Sequence, residues 1–238
     1  MKRAIVIIGG YNSIWPFYLK MARLLEDLTG LPTIGVPLTP WHWWQAGRKE
    51  DGSQILNTVA ETVAWARRKF SAKRFVLVGH SAGGVIGRLY LCDEPVWGTV
   101  YAGVQHVDSL ITLGSPHGTW QRADTGWFLG DMANQRVPGA AYDTVRYQPV
   151  VGRYIQGRRD GTHKEQRAFR LYRIIGGQGD VWGDGMVPVE SAGLDNIRPL
   201  ILDGVAHSGK VGRQWYGASA GIIRRWWLDL SSAGLDRG

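Results

Sequence analysis

Short, fully apolar runs alternate along this chain with longer stretches in which apolar positions recur every three or four residues. Residues 4–8 (Ala-Ile-Val-Ile-Ile) and 75–78 (Phe-Val-Leu-Val) are apolar at every position, the pattern of strands covered on both faces. Further runs at 33–37, 110–113, 168–175 and 198–202 read as strands as well. Between them, residues 16–29 carry a helical stripe (Phe17, Met21, Leu24, Leu25, Leu28) opened by Pro16 and closed by Gly30. Residues 53–70 carry another (Ile55, Leu56, Val59, Val63, Ala66), with Ser53 as a candidate N-cap, and helices are expected over 84–92 and 213–230. Alternation of this kind predicts an α/β fold: a mainly parallel sheet with helices on both faces. Residues 119–166 lose periodicity, are too long for an ordinary connection, and are expected to form a lid or cap inserted in a single domain spanning 1–238.

Composition narrows the setting. The 238 residues are 44% hydrophobic, enough to bury a core as one unit. The one cysteine, Cys92, rules out an intrachain disulfide and reads as a core residue. Met1-Lys2-Arg3 precedes an apolar run too short for a signal peptide, which ends at Gly9-Gly10, so a cytoplasmic location is expected. The formal charge of +8 is spread along the chain without a nucleic-acid-binding motif, so no nucleic-acid partner is expected. A weak contact with an anionic membrane surface stays open. The twelve tryptophans, with Trp41, Trp43 and Trp44 flanking His42, are expected mostly in the core or lining a pocket.

The chemistry centres on Gly79-His80-Ser81-Ala82-Gly83. This G-x-S-x-G follows one predicted strand and precedes one predicted helix, the context in which a sharp turn presents a nucleophilic serine. A serine hydroxyl needs a base, usually a histidine oriented by a carboxylate, and the usual chain order after such an elbow is Ser, Asp or Glu, then His. Of the six histidines, only His207 lies in the loop after the last predicted strand. His117 is the alternative base or a pocket residue; His80 is expected to pack behind the elbow, His42 to sit in pocket or core, and His106 and His163 to be loop residues. The acid is sought between Ser81 and His207, in the loop after 168–175, where Asp184 leads and Asp180 competes. Oxyanion donors are expected from the N–H of Ala82 and from the Gly9-Gly10-Tyr11 turn, Tyr11 first and Gly10 next.

These segments resemble an α/β-hydrolase of the lipase/esterase kind. The resemblance rests on Gly9-Gly10-Tyr11, Gly79–Gly84, Thr112-Leu113-Gly114-Ser115-Pro116-His117-Gly118, Gly183-Asp184-Gly185-Met186-Val187-Pro188 and His207, and it covers nearly the whole chain. The 112–118 segment is similar to one in bacterial lipases and PGAP1-like deacylases. The tryptophan-rich segment 41–44, the W-G-D-G loop and His207-Ser208 resemble lipase-like hydrolases of cyanobacteria and plant plastids. Two departures stand out: Gly9-Gly10 replaces the His-Gly of many lipases, and Ser208-Gly209-Lys210 lacks the aspartate of calcium-dependent ones, so no metal site is expected. The resemblance implies the α/β-hydrolase fold and a cofactor-free serine ester hydrolase with a catalytic triad of Ser81, Asp184 and His207. Trp41, Trp43, Trp44, His117 and Trp120 would line an apolar pocket for a small-molecule or lipid acyl ester. Acyl transfer or thioester hydrolysis with the same triad is the alternative, followed by a non-catalytic binding protein. The acyl length and the oligomeric state are not readable at this level.

Overall fold

The computed structural model describes residues 2–118, 128–195 and 197–231. Among them, six strands form one parallel sheet: β1 (Arg3–Ile8), β2 (Thr33–Gly35), β3 (Arg74–His80), β4 (Val107–Leu113), β5 (Arg146–Arg153) and β8 (Leu200–Asp203). Their order is β2-β1-β3-β4-β5-β8, with every neighbouring pair parallel. Two-residue strands β6 (Ile155–Gln156) and β7 (Trp182–Gly183) pair separately and antiparallel.

The unbroken apolar runs follow from burial on both faces. Ala4, Val6 and Ile8 of β1, with Phe75 and Leu77 of β3, point into one core. That core is completed by α2 (Pro40–Lys49), α3 (Ser53–Phe70), α4 (Ala82–Leu91) and α5 (Phe128–Arg136). Ile5, Ile7, Val76 and Val78 point the other way, onto Met21 and Leu25 of α1 (Leu19–Thr29) and Ile223 and Trp226 of α7 (Ala220–Ser231). Moving either strand by one residue would exchange the two cores, which fixes the register. A third, small cluster joins Val151 and Val187 to Ile175 of α6 (His163–Gly176) beside the loop that carries Asp184.

Several expected elements are corrected. Residues 168–175 are not a strand but the body of α6. Ala168, Tyr172 and Ile175 are its buried positions, at helical spacing, and Thr162 and Glu165 form a capping box at its start. The apolar-polar alternation over Phe169-Arg170-Leu171 had hidden that longer period. The expected lid at 119–166 contains a strand of the sheet, β5, and the start of α6. Pro149 disguised β5, because proline cannot donate to a ladder. The Val150 carbonyl accepts the Gly114 N–H at 2.8 Å on the β4 side. Alternation turns the Pro149 nitrogen to the opposite side, where pairing with β8 begins only at Val150 opposite Leu200. Ser53 is the first residue of α3 rather than its cap; the Asp51 carboxylate takes its N–H at 2.7 Å. The closing helix begins at Ala220, not 213, and 40–49 is a helix that the tryptophan-rich sequence did not announce.

Candidate active site

Ser81 sits between the C-terminal end of β3 and the first turn of α4, with φ 54° and ψ −127°. A non-glycine residue in that region is strained and persists only where its surroundings over-determine it. Here they do. The Ser81 N–H continues the β3–β4 ladder to the Leu113 carbonyl at 2.9 Å, and the Ser81 carbonyl accepts from Gly84 at 3.0 Å. The glycines around it are required by contact. A Cβ on Gly83 would lie 2.1 Å from the Ile8 carbonyl oxygen, and one on Gly79 would lie 2.4 Å from the Gly84 Cα. Gly10 brings the loop after β1 so close that a Cβ there would lie 2.8 Å from the Ser81 Cβ.

Asp184 and His207 meet in the interior, where each is at most 3% exposed. His207 Nδ1 lies 2.7 Å from Asp184 Oδ2. The same oxygen accepts the Tyr216 hydroxyl at 2.7 Å, while Oδ1 accepts the N–H groups of Met186 and Val187 at 3.0 and 2.8 Å. The main chains are also joined, His207 N–H to the Asp184 carbonyl at 2.8 Å. Burial alone would raise the Asp184 pKa. The His207 charge and the hydrogen bonds from His207, Val187 and Tyr216 outweigh it and hold the carboxyl below its ordinary range. Tyr216 in turn accepts the Gly152 N–H at 2.8 Å, near the end of β5, and burial and then the Asp184 charge push its hydroxyl well above the usual phenol range. The rival acid Asp180 is exposed. Gly114, at φ 56°, must lack a side chain, since a Cβ would lie 2.4 Å from Asp184 Oδ2 and 3.1 Å from His207 Nδ1.

His80 connects the serine to the base. Its Nε2 donates to the His207 carbonyl at 2.8 Å, because a carbonyl can only accept. Nδ1 is therefore the acceptor, and takes the Tyr18 hydroxyl at 2.9 Å; Tyr18 in turn accepts the Gly10 N–H at 2.9 Å. Burial first, and the neighbouring His207 charge second, lower the His80 pKa to about 3, which keeps this neutral tautomer in place at working pH. The chain of bonds corrects one expectation: the Gly10 N–H is already engaged and is not available to an oxyanion. Among the described residues, the N–H groups of Tyr11 and Ala82 have no acceptor.

The other expected pocket residues fare differently. Trp120 lies outside the described residues. Trp43 is buried in the core with its ring 5.6 Å from that of Tyr11. Trp41 and Trp44 are 56% and 49% exposed, a correction to the enclosed pocket: the phase of α2 puts residue 43 inward and 41 and 44 outward. His42 caps that helix, its Nδ1 accepting the Thr39 N–H at 3.1 Å. His117 is buried, with Nε2 3.0 Å from the Thr112 hydroxyl; burial and then the Arg88 charge hold its pKa well below that of a free histidine. A cavity of about 650 Å3 is lined by His117 with Arg88, Asn134, Glu190, Asp195 and Arg198, and by none of Ser81, Asp184 or His207. Arg88 reads there as an anchor for the end of α5, donating to the Val137 carbonyl at 2.6 Å and to Asn134 Oδ1 at 3.0 Å. Among the described residues, no three His, Cys, Asp or Glu side chains are grouped to hold a metal ion, and no helix is long and apolar enough to cross a membrane.

Residues 39–144 match the family model for the alpha/beta hydrolase fold. Phospholipase PlaB from Legionella pneumophila superposes with a TM-score of 0.58 at 15% identity, over 95% of this chain and 57% of that one. This is an α/β-hydrolase fold. A Listeria innocua protein shares it with a TM-score of 0.54 at 13% identity, over 100% of this chain and 97% of that one. A Xanthomonas campestris protein of the alpha/beta superfamily shares it with a TM-score of 0.51 at 14% identity, over 98% of this chain and 99% of that one. At these identities the likeness is one of fold, and this chain spans little more than half the length of PlaB. No curated protein matches it in sequence. Within the α/β-hydrolase fold, Ser81, Asp184 and His207 all lie toward the carboxyl edge of the parallel sheet, where open α/β sheets place their ligands. Sequence reasoning missed Tyr216, Tyr18 and Gly152. Only Gly114 carried a local signal, as part of the 112–118 segment.

Proposed function

We propose that the chain is a serine carboxylic-ester hydrolase. The observation that carries this reading is the buried Asp184–His207 pair, 2.7 Å apart, joined through His80 to a serine held at φ 54° on a strand-to-helix turn. Asp184 occupies His207 Nδ1, which leaves Nε2 to take the Ser81 proton as Oγ attacks the ester carbonyl carbon. The oxygen of the tetrahedral intermediate takes hydrogen bonds from the N–H groups of Ala82 and Tyr11. Collapse expels the alcohol, which receives the proton from His207 and leaves an acyl group on Ser81. Water then attacks the acyl-enzyme, its proton passing to His207, and the carboxylic acid is released as Ser81 recovers its hydrogen. Asp184 stays ionised throughout and steadies the imidazolium. Acyl esters, lipids included, are the substrate class in this reading; PlaB, similar in fold, is by its name a phospholipase.

Hydrolysis of a p-nitrophenyl ester series tests the proposal. Ser81→Ala is expected to lower kcat by on the order of a thousandfold or more with folding retained. Undiminished turnover in that variant would sink the mechanism. Transfer to an added alcohol, in place of release of free acid, would move the chain to the acyltransferases.

A further inference from the structure

Helix α2 has apolar residues on two faces, and only one of them is used by the core. Trp43 and Ala46 point inward and are buried. Trp41, Trp44 and Arg48 fall one, or one and then two, helical turns apart on the opposite face, and all are exposed. The two indoles stack on each other with centroids 4.7 Å apart, and the Arg48 guanidinium lies 5.1 Å from the Trp44 ring. The surroundings extend this character. Tyr11, in the loop after β1, is 60% exposed and packs edge-on against Trp43. Phe17 is 50% exposed, with the Lys210 ammonium 5.4 Å from its ring. Trp15, from the same loop, reaches the end of β2 at Gly35. All these segments leave the carboxyl ends of β1 and β2, the sheet edge at which Ser81 stands.

Singly exposed apolar residues are ordinary, but two exposed indoles stacked on one helix face, with a guanidinium over one ring, are not. Tryptophan and tyrosine settle at the level of lipid headgroups, where an apolar ring body and a polar edge are both accommodated. Arg48 and Lys49 sit in the last turn of the same helix, and the chain carries a net +8. Of the acids that follow, Glu50 is exposed and the Asp51 carboxylate is committed to the Ser53 N–H. A second copy of this chain would bring the same positive charge to the contact; a bilayer with anionic headgroups brings the opposite one.

We infer that α2 is a docking surface for an anionic lipid bilayer, with Trp41 and Trp44 entering the headgroup region and Arg48 and Lys49 meeting its phosphates. Docking there holds α2, and the loop after β1 that packs on it through Tyr11 and Trp43, near the membrane. Delivery of an ester to Ser81 rests on the function proposed above; the docking itself does not.

Cosedimentation with vesicles tests it, carried out on Ser81→Ala protein so that lipid is not consumed and a failure of the hydrolase reading leaves the result interpretable. The protein is expected to bind phosphatidylcholine vesicles containing phosphatidylglycerol and to bind pure phosphatidylcholine less. Adding Trp41→Ser and Trp44→Ser should lower the partition coefficient by about tenfold or more, with the thermal midpoint retained because both side chains are exposed. Arg48→Glu should weaken binding only to the phosphatidylglycerol vesicles. No binding to either vesicle, or equal binding with and without the tryptophans, would overturn the inference. So would a dimer in solution that the double substitution dissolves while vesicle binding persists, since the face would then belong to a second copy.

Discussion

The two halves of the candidate site are held by different means. The serine half is positioned almost wholly by main chain: the β3–β4 ladder takes the Ser81 N–H, and glycines at 79, 83 and 84 let α4 start against β3, β1 and β4 respectively. The acid–base half stands on loops. Side chains far away in sequence hold it, Tyr216 reaching Asp184 across 32 residues and Gly152 across 64. Backbone placement is local and tolerates no added atom. Side-chain placement is distributed, and each bond can be removed singly at a graded cost. Substitutions on the two halves should therefore differ in kind.

Gly83→Ala addresses the serine half and should have the largest effect. Its Cβ would meet the Ile8 carbonyl at 2.1 Å and the Gly9 carbonyl at 2.8 Å, both main chain. Neither strand nor helix can yield without moving the turn, so the unfolding free energy should fall by about 3 kcal/mol or more. Ester hydrolysis should drop with it, because the Ala82 N–H moves. A denaturant titration showing wild-type stability would mean that the elbow is softer than its contacts imply.

The same contrast explains what could be read from sequence. The elbow was legible because everything that defines it, an apolar strand, three small residues and a helix, lies in one unbroken segment, 74–91. Asp184 and His207 stand out by chain order and are brought together by the fold, yet the strand expected ahead of Asp184 at 168–175 is in fact α6. The true preceding strand of the sheet, β5, was masked by Pro149 and by a hydrogen-bonding side on which proline costs nothing. Tyr216 was invisible for a related reason. Its burial fits the apolar spacing of a helix from 213 to 230, but it lies in a loop ahead of α7, its carbonyl accepting the Trp226 indole N–H at 3.1 Å. No local pattern marks a residue whose role is to end a hydrogen-bond chain begun elsewhere. On α2, tryptophans at 41, 43 and 44 had no single period because two of them face water.

His80 bridges the halves, and acid should expose it. Its folded pKa of about 3 lies below the ordinary value of 6.5, first through burial and then through the His207 charge. The unfolded chain thus binds a proton that the folded chain refuses, so stability falls as pH drops from about 6.5 toward 3. Between pH 6.5 and 4.5 the cost attributable to His80 is about 2 kcal/mol, since the slope rises toward roughly 1.36 kcal/mol per unit only once the unfolded histidine is fully protonated. His106, lowered to about 4, and His117, also held well below its ordinary value by burial and then the Arg88 charge, add slopes of the same sign. The informative measurement is therefore a difference. Unfolding free energy followed against pH should be flatter by that amount in His80→Gln than in wild type. Parallel curves would show that His80 takes up its proton without cost.

Tyr216→Phe should have the smallest effect and discriminates best, because it keeps the ring and removes one oxygen. Two partners lose by it: the Gly152 N–H is left buried without an acceptor, and Asp184 loses one of its four donors. Stability should fall by about 1.5 kcal/mol, the scale of a hydrogen bond to a charged group. The Asp184 carboxyl should also be held less far below its ordinary range. A carboxyl with a lowered folded pKa contributes stability above its unfolded value that is lost as pH falls through the folded one, so the variant's contribution from this group shrinks and fades at higher pH. If Tyr216 orients the carboxylate for His207, kcat on a p-nitrophenyl ester should drop on the order of tenfold with KM held. A purely structural tyrosine would instead lower the melting temperature and leave kcat alone. In that case the acid–base half is positioned by its own main-chain bonds, Asp184 to Val187 and His207 to Asp184, and the two halves of the site are built more alike than their side chains suggest.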